Sequence, residues 1–445
     1  MSTGGVAGAT IAGMPFRRLE IDRHGSRCGG SGDLVPAGTT DLIVLSHGWK
    51  NDADDATALY AGMLERLVAA AGGEFGRNDR RFAAIGVYWP ALRYQPDLSL
   101  VEDGPADDGR GGSAAAGASD LTRAELAAEA RRVGTGLFDD PDAFAAFAVA
   151  AAGGGGAADD FVEHLRGLLS VADEPTVAEH RHLLKGRGGE LLEGLAHGGP
   201  LLADADGSGS VEGLGAAAGR SSRPAAIWNF RSGGRAAVAS ILNQATYYEM
   251  KARAGVVGTA VAAVVDAVAP RGVRLHLVGH SFGARVVTAA TAVTATPVRS
   301  LSLLQAAFSH NAFGTSIGRG RIDGWFRHIV ADGIVAGPVL VTHTRKDRAV
   351  GFFYAVASVV SGEIAKGRVL DRLVGGPADP HGGLGANGAQ SMLEGETVEL
   401  SAEAGAIPSL VAGKVNNVKC DAVIGGHNDV VNAAVGELLW RAVAT

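Results

Sequence analysis

The chain has 445 residues, of which 47% are hydrophobic and 20% charged, as is typical of a globular protein with a sizeable core. Its formal net charge of −7 disfavours nucleic acid or an anionic membrane surface as a main partner, because neither would find a broad basic face. The first residues do not follow the basic-then-apolar pattern of a signal peptide, and no apolar run approaches the roughly 20 residues that a membrane span requires. Two cysteines, Cys28 and Cys420, are too few for a disulfide framework and indicate unpaired thiols in a reducing compartment. These features predict a soluble, cytoplasmic protein without stable membrane insertion.

The first 94 residues alternate between strand and helix patterns. Strands are predicted within residues 15–25, within the continuously apolar run 39–49, and within 81–94, where Pro90 ends the strand. Between the last two, residues 52–72 carry acidic side chains in the first turn and apolar side chains at helical spacing, so they predict a helix and not a metal site. This β-α-β alternation predicts a parallel sheet.

The alternation is lost over residues 95–225, which is far longer than an ordinary connection. The segment opens with a loop rich in Asp and Gly, continues with helical patterns and ends in Gly/Ala-rich sequence. It predicts a mainly helical insertion, a candidate cap, between the core segments 1–94 and 226–445.

Regular alternation then resumes to the end of the chain. A strand is predicted within residues 225–234, followed by two helical stretches over 235–255 and 257–270. The later elements are strands within 273–279, 298–308, 337–347 and 419–426, and helices within 282–295 and 429–443.

Ser281 lies in the pentapeptide Gly-His-Ser-Phe-Gly, between a strand-like run and a helix-like run. A serine needs a base, a group that orients the base, and donors for the developing oxyanion before it can attack a carbonyl carbon. Gly279 and Gly283 flank Ser281 at the spacing of a Gly-x-Ser-x-Gly turn, in which the flanking positions tolerate almost no side chain. The motif in this context resembles the nucleophile elbow of the α/β-hydrolase fold, and the resemblance covers about residues 40–93 and 226–445. It implies a mostly parallel central sheet with helices on both faces.

The resemblance implies an acid and a histidine after the nucleophile in chain order. Asp347, after the strand within 337–347, is the candidate acid, with Asp323 and Asp332 as alternatives. His427, in a Gly-rich loop before the last helix, is the candidate base.

The resemblance also implies an oxyanion hole made by the backbone N–H of Phe282 and by that of Trp49 in the early His-Gly-Trp element. His47 in that element is a candidate substrate-binding residue, as are Phe308 and His310 at the end of the next strand.

The sequence therefore favours a serine hydrolase that cleaves a carboxylic ester, from a small molecule or a lipid, through an acyl-enzyme on Ser281. Such a site needs no cofactor and no metal. The motifs do not separate an esterase from a lipase, phospholipase, thioesterase or peptidase, and they leave the oligomeric state open. The alternative is a non-catalytic binding or interaction protein on a hydrolase scaffold, because a fold does not guarantee activity.

Overall fold

The computed structural model describes residues 9–28, 33–48, 51–91, 123–137, 140–169, 188–189, 234–317, 321–347, 350 and 382–445. The chain forms two compact units. The first comprises Met1–Tyr94, Met250–Val350 and Gly383–Thr445, and the second Gln95–Glu249 and Gly351–Gly382. The second unit thus begins where the predicted insertion begins, but it extends beyond residue 225 and includes a later segment. The predicted strand within 225–234 lies almost entirely outside the described residues.

A nine-stranded sheet organises the first unit, in the order β1-β2-β4-β3-β5-β6-β7-β9-β8. Among the strands of the described residues, β1 and β2 are the only antiparallel pair, so the predicted α/β class with a mostly parallel sheet is confirmed. The strands are β1 Thr10–Ile11, β2 Met14–Glu20, β3 Asp41–Ser46, β4 Phe82–Tyr88, β5 Arg274–His280, β6 Val298–Leu304, β7 Val339–His343, β8 Thr397–Ser401 and β9 Val415–Lys419.

The helices of the described chain are α1 Ala53–Ala71, α2 Arg123–Leu137, α3 Pro141–Ala151, α4 Gly156–Leu169, α5 Gly234–Val268, α6 Phe282–Val293, α7 Arg327–Ala331, α8 Leu384–Asn387 and α9 Ala433–Ala444. Helix α5 is continuous where the sequence predicted a boundary between two helical stretches, near residue 256. Gly258 lets α5 approach α6, because an added Cβ would lie 2.4 Å from the carbonyl oxygen of Val286. In the described part of the chain, no helix combines the length and hydrophobicity needed to cross a membrane.

Strand order creates a crevice between β3 and β5. The chain leaves β3 for β4 on one side, and it leaves β5 for β6 on the other. Such crossovers are almost always right-handed, so the connecting helices α1 and α6 belong on opposite faces of the sheet. Ligands of open α/β sheets bind at this kind of switch point, beyond the carboxyl ends of the strands. The segments that follow β3 and β5 there begin with His47 and Ser281.

One hydrophobic cluster of the first unit forms where the apolar faces of α1 and α9 pack on the sheet. Tyr60, Leu64 and Leu67 of α1 and Leu438 and Leu439 of α9 are almost completely buried in one cluster with side chains of the central strands. Strands β3 and β4 are buried along their whole length, as their continuous apolar runs predict. The acidic run before α1 serves the helix start, because Asp52 accepts hydrogen bonds from the N–H groups of Asp54 and Asp55.

The second unit is helical in its described part. Phe144 of α3 and Phe161 of α4 are buried and stack with ring centroids 5.8 Å apart. Asp140 caps α3 by accepting a hydrogen bond from the N–H of Ala143, and Pro141 occupies the first helical position. The prediction of helical patterns in this segment therefore agrees with the residues described.

The strand predicted within residues 419–426 is wrong. The strand at that place is β9, Val415–Lys419, and the residues after Cys420 form a turn. Asn416 and Asn417 make β9 look polar in sequence, yet both are completely buried. Their amides bind backbone groups of neighbouring segments at Val411 and Ala389, which removes the cost of burying them.

Candidate active site

Ser281 occupies a strained turn between β5 and α6. Its φ of 57° and ψ of −124° lie in a region that L-residues rarely adopt and that costs on the order of 1–3 kcal/mol. The turn is held by backbone hydrogen bonds: the Ser281 N–H donates to Leu304, and the Ser281 carbonyl accepts from Ala284 and Ala307. The surrounding chain therefore determines where the Ser281 hydroxyl points.

Three glycines permit this turn. A Cβ on Gly279 would lie 2.4 Å from the Cα of Ala284, and one on Gly283 would lie 2.1 Å from the carbonyl oxygen of Ser46. A Cβ on Gly48 would lie 2.6 Å from the Cβ of Ser281 and 3.1 Å from its Oγ. The two motif glycines thus admit the turn and its approach to β3, while Gly48 lets the segment after β3 pack directly on the serine.

His427 bridges Ser281 and Asp347. Its Nε2 lies 2.9 Å from the Oγ of Ser281, and its Nδ1 lies 2.9 and 3.0 Å from the two carboxylate oxygens of Asp347. Because a carboxylate accepts hydrogen bonds, Nδ1 carries the proton, and Nε2 is then the acceptor for the Ser281 hydroxyl. The structure thus brings together the three side chains that the sequence predicted as nucleophile, base and acid.

Asp347 is the carboxylate that faces His427, and the two alternatives face elsewhere. Its side chain is completely buried and also accepts hydrogen bonds from the N–H of Val350 and the Nε2 of Gln305. Asp323 is exposed and binds Thr315 and Ser316, and Asp332 is exposed at the end of α7. Asp347 is therefore not part of a surface ion pair, because it is buried while its neighbour Lys346 is exposed.

His280 anchors the loop that carries His427. Its Nε2 donates to the carbonyl oxygen of His427 at 2.9 Å, and the two rings lie 5.0 Å apart. Burial lowers the pKa of His280 to about 3, and the neighbouring His427 acts in the same direction. His280 is therefore a neutral donor at physiological pH. Within the same loop, the carboxylate of Asp429 accepts a hydrogen bond from the N–H of Gly425. Asp429 does not cap α9, because the N-cap of that helix is Asn432.

His47 is buried behind the segment after β3. Its Nδ1 donates to the carbonyl of Gly48 at 2.8 Å, and its Nε2 accepts from the N–H of Trp89 at 3.4 Å. The ring also stacks on Trp89, with centroids 5.7 Å apart. Burial lowers the pKa of His47 to about 4, so the ring is neutral and holds the Gly48 carbonyl in place. Only 2% of His47 is exposed. The contacts of its ring are therefore structural, and its predicted role in substrate binding is not tested by them.

The oxyanion-hole residues are described in part. Phe282 is the first residue of α6 and lies at the positive end of that helix dipole, next to Ser281. Trp49 lies outside the described residues, and its assignment stays a prediction.

The two other candidate substrate-binding residues are buried. Phe308 is completely buried, with its ring in edge-to-face contact with Phe313 and Phe326. His310 is 1% exposed, and its Nδ1 lies 3.2 Å from the side-chain nitrogen of Asn387. Both residues belong to the packing of the segment that follows β6, and neither is brought to Ser281 by a described contact.

A second Ser-His-Asp set lies at the opposite edge of the sheet. His276 contacts the Oγ of Ser300 at 2.8 Å and Oδ1 of Asp41 at 3.3 Å. These three residues are at most 1% exposed, and Arg80 and Arg274 bind the Asp41 carboxylate. Burial lowers the pKa of His276. Asp41 and Arg274 are the first residues of β3 and β5. This set therefore lies near the amino-terminal ends of the strands, whereas the crevice lies beyond their carboxyl ends.

The described residues hold no group of three or more His, Cys, Asp or Glu side chains suited to a metal ion. The two cysteines form no disulfide: Cys28 is exposed, and burial raises the pKa of Cys420 to about 12.

Three residues that shape this site were not predicted in these roles. Gly48 stands in the His-Gly-Trp element, so the motif indicated the segment but not its packing on Ser281. His280 stands inside the pentapeptide, but its bond to the His427 carbonyl depends on a loop 147 residues away. Gln305 directly follows β6, and its place at the carboxyl end of a parallel strand is the signal that could have found it.

Comparisons of the chain with family models, with curated proteins and with solved structures found no match.

Proposed function

We propose that the chain is a serine hydrolase of the α/β-hydrolase fold that cleaves carboxylic esters through an acyl-enzyme on Ser281. The observation that carries this proposal is the continuous set of contacts from the Ser281 hydroxyl through His427 to the buried carboxylate of Asp347. The strained φ of Ser281 adds support, because such strain clusters at active sites.

The order of the contacts gives the direction of proton transfer. As Ser281 Oγ attacks the ester carbonyl carbon, its proton passes to Nε2 of His427, and the carbonyl π electrons move to the oxygen. Asp347 orients the imidazole and stabilises the imidazolium that forms. The imidazolium then gives its proton to the leaving alkoxy oxygen as the C–O bond breaks. This step releases the alcohol and leaves an acyl group on Ser281.

Water completes the cycle by the same route. His427 takes a proton from water as the hydroxide oxygen bonds to the acyl carbon, and returns the proton to Ser281 Oγ as the acid leaves. The oxyanion of each tetrahedral intermediate would be bound by the backbone N–H groups of Phe282 and Trp49. The positive end of α6, which begins at Phe282, favours negative charge at that place.

His280 supports this chemistry without taking part in proton transfer. Its Nε2 proton is engaged by the His427 carbonyl, and its pKa of about 3 keeps the ring neutral beside an imidazolium. A charged ring at a centroid distance of 5.0 Å would oppose the protonation of His427 during the reaction.

The test is covalent labelling with a fluorophosphonate probe. Ser281 Oγ would form a bond to phosphorus and expel fluoride, with its proton passing to His427. We expect labelling of the wild type and none of Ser281→Ala. Ser300→Ala is the matched control, because it also removes a serine in contact with histidine but lies in the buried set at the other edge. Ser300→Ala should label at the wild-type rate.

Failure of the folded wild type to react would contradict the proposal. It would favour the alternative of a binding protein on this scaffold. Loss of labelling in Ser300→Ala, with Ser281→Ala still reactive, would contradict the choice of nucleophile.

A further inference from the structure

Gln305 stands at a strained, buried position directly after β6. It is completely buried, and its φ of 44° lies in the left-handed region that a residue with a side chain seldom adopts. An added Cβ on Gly385 of α8 would lie 2.5 Å from the carbonyl carbon of Gln305, so the neighbouring segment also packs tightly on this residue.

The side-chain amide of Gln305 makes three hydrogen bonds. Its Nε2 donates to Oδ2 of Asp347 at 3.2 Å and to the carbonyl of Gly385 at 3.1 Å. Its Oε1 accepts from the hydroxyl of Thr342 at 2.9 Å, and its backbone N–H donates to the same hydroxyl oxygen at 3.2 Å. Both amide donors and the amide oxygen are therefore used.

These partners define the orientation of the amide. If the amide were flipped, its oxygen would face the Asp347 carboxylate and the Gly385 carbonyl, which are both acceptors. Thr342 on β7 thus holds the oxygen and turns the N–H groups toward Asp347. A fully satisfied buried network of this kind gives its members one arrangement.

We propose that Gln305 is a positioning residue for the reaction on Ser281, which it supports by holding the Asp347 carboxylate in register with His427. The inference rests on the proposed function. A donor to Oδ2 satisfies that carboxylate oxygen and restricts the rotation of the carboxylate, so that both oxygens face Nδ1 of His427. The competing explanation is that Gln305 only ties β6, β7 and α8 together.

Two substitutions separate these explanations. Gln305→Met keeps an unbranched side chain but removes all side-chain hydrogen bonds. Gln305→Glu keeps the acceptor for Thr342 but replaces the donor to Asp347 with a carboxylate oxygen. Loss of one hydrogen bond to a charged group corresponds to a decrease of about tenfold to hundredfold in the rate of the reaction that it supports. We expect both variants to lower the maximal rate of fluorophosphonate labelling by about that factor. The probe concentration at half-maximal rate should not change.

Asn417→Leu is the matched structural control. Asn417 is also a completely buried amide with three side-chain hydrogen bonds, to Ala389 and Glu399, and none of them reaches Asp347. This variant should lose stability but label at the wild-type rate below its unfolding temperature. Proton NMR supplies a second readout: the downfield resonance of the Nδ1 proton of His427, identified by its loss in Asp347→Asn, should shift in both Gln305 variants and stay in place in Asn417→Leu.

The outcomes of this experiment are distinct. If the folded wild type does not label, the proposed function fails and the inference fails with it. If the wild type labels and the folded Gln305 variants label within threefold of it, with the His427 resonance unmoved, Gln305 is only a structural tie and the inference alone is overturned.

Discussion

Replacing Gly48 by alanine should lower the reactivity of Ser281, although it changes none of the three residues whose side chains react. The new methyl carbon would lie 2.6 Å from the Cβ of Ser281 and 3.1 Å from both its Oγ and the carbonyl of His280. Non-bonded carbon atoms prefer a separation of about 3.5–4.0 Å, so the serine or the segment after β3 must move by about 1 Å.

The size of this movement gives the expected effect. A misplacement of about 1 Å in an active site costs roughly 100-fold in rate, so Gly48→Ala should lower the second-order rate constant of fluorophosphonate labelling by that order. Overpacking of this kind costs about 1–3 kcal/mol of stability, so the variant should still fold. The assay is the time course of labelling at several probe concentrations, with circular dichroism to show that the variant is folded.

Gly255→Ala is the matched control. Gly255 lies in α5, and an added Cβ there meets no atom within 4 Å. The same substitution at this position should leave labelling unchanged and raise helix stability by up to about 1 kcal/mol. If folded Gly48→Ala labels within threefold of the wild type, the close contact between Gly48 and Ser281 does not control the nucleophile, and the reasoning is refuted.

Asp347→Asn should lower the labelling rate by roughly 10⁴-fold, because an amide N–H facing Nδ1 of His427 would favour the tautomer that cannot accept the Ser281 proton. Asp323→Asn, at the exposed alternative, should have no effect, and the reverse result would move the acid to Asp323. A separate prediction concerns pH: the pKa of His47 is lowered to about 4 and that of His280 to about 3, both below the ordinary value of 6.5. As pH falls from about 6.5 toward 4, both imidazoles become protonated in the unfolded chain but stay neutral in the folded protein. The free energy of unfolding should therefore fall by about 1.4 kcal/mol per pH unit for each ring. Urea unfolding at pH 7 and pH 5 measures this loss, which should be smaller in His280→Gln; a free energy that stays constant between these pH values would contradict it.

The parts of the fold that sequence predicted are those with local signals. Continuous apolar runs mark β3, β4 and β5 because these strands are buried on both faces, and the helical spacing of apolar residues marks α1. Glycines on both sides of Ser281 mark the turn because any side chain there would overlap backbone atoms. Each of these signals depends on residues within one element or one turn.

Strands β8 and β9 carried no such signal. Asn416 and Asn417 are buried at the centre of the polar β9 because other segments supply their hydrogen bonds: Asn416 binds the nearby Val411, and Asn417 binds Ala389, 28 residues earlier. Hydrophobic periodicity cannot register a polar side chain whose burial is compensated by a distant partner. The sequence therefore predicted a strand over the apolar residues after Cys420, which form a turn instead.

The sequence by itself determined an α/β chain with a Gly-x-Ser-x-Gly turn, followed in order by candidate acids and a candidate histidine. It favoured Asp347 as the acid but did not exclude Asp323 or Asp332, since each follows a strand or its neighbouring segment. Only the tertiary structure decided that Asp347 meets a histidine 80 residues later, and that Gln305 lies behind the carboxylate. The physical reason is that these contacts depend on which strands are neighbours in the sheet and on how far the loop after each strand extends beyond the sheet. No single segment of the sequence contains that information.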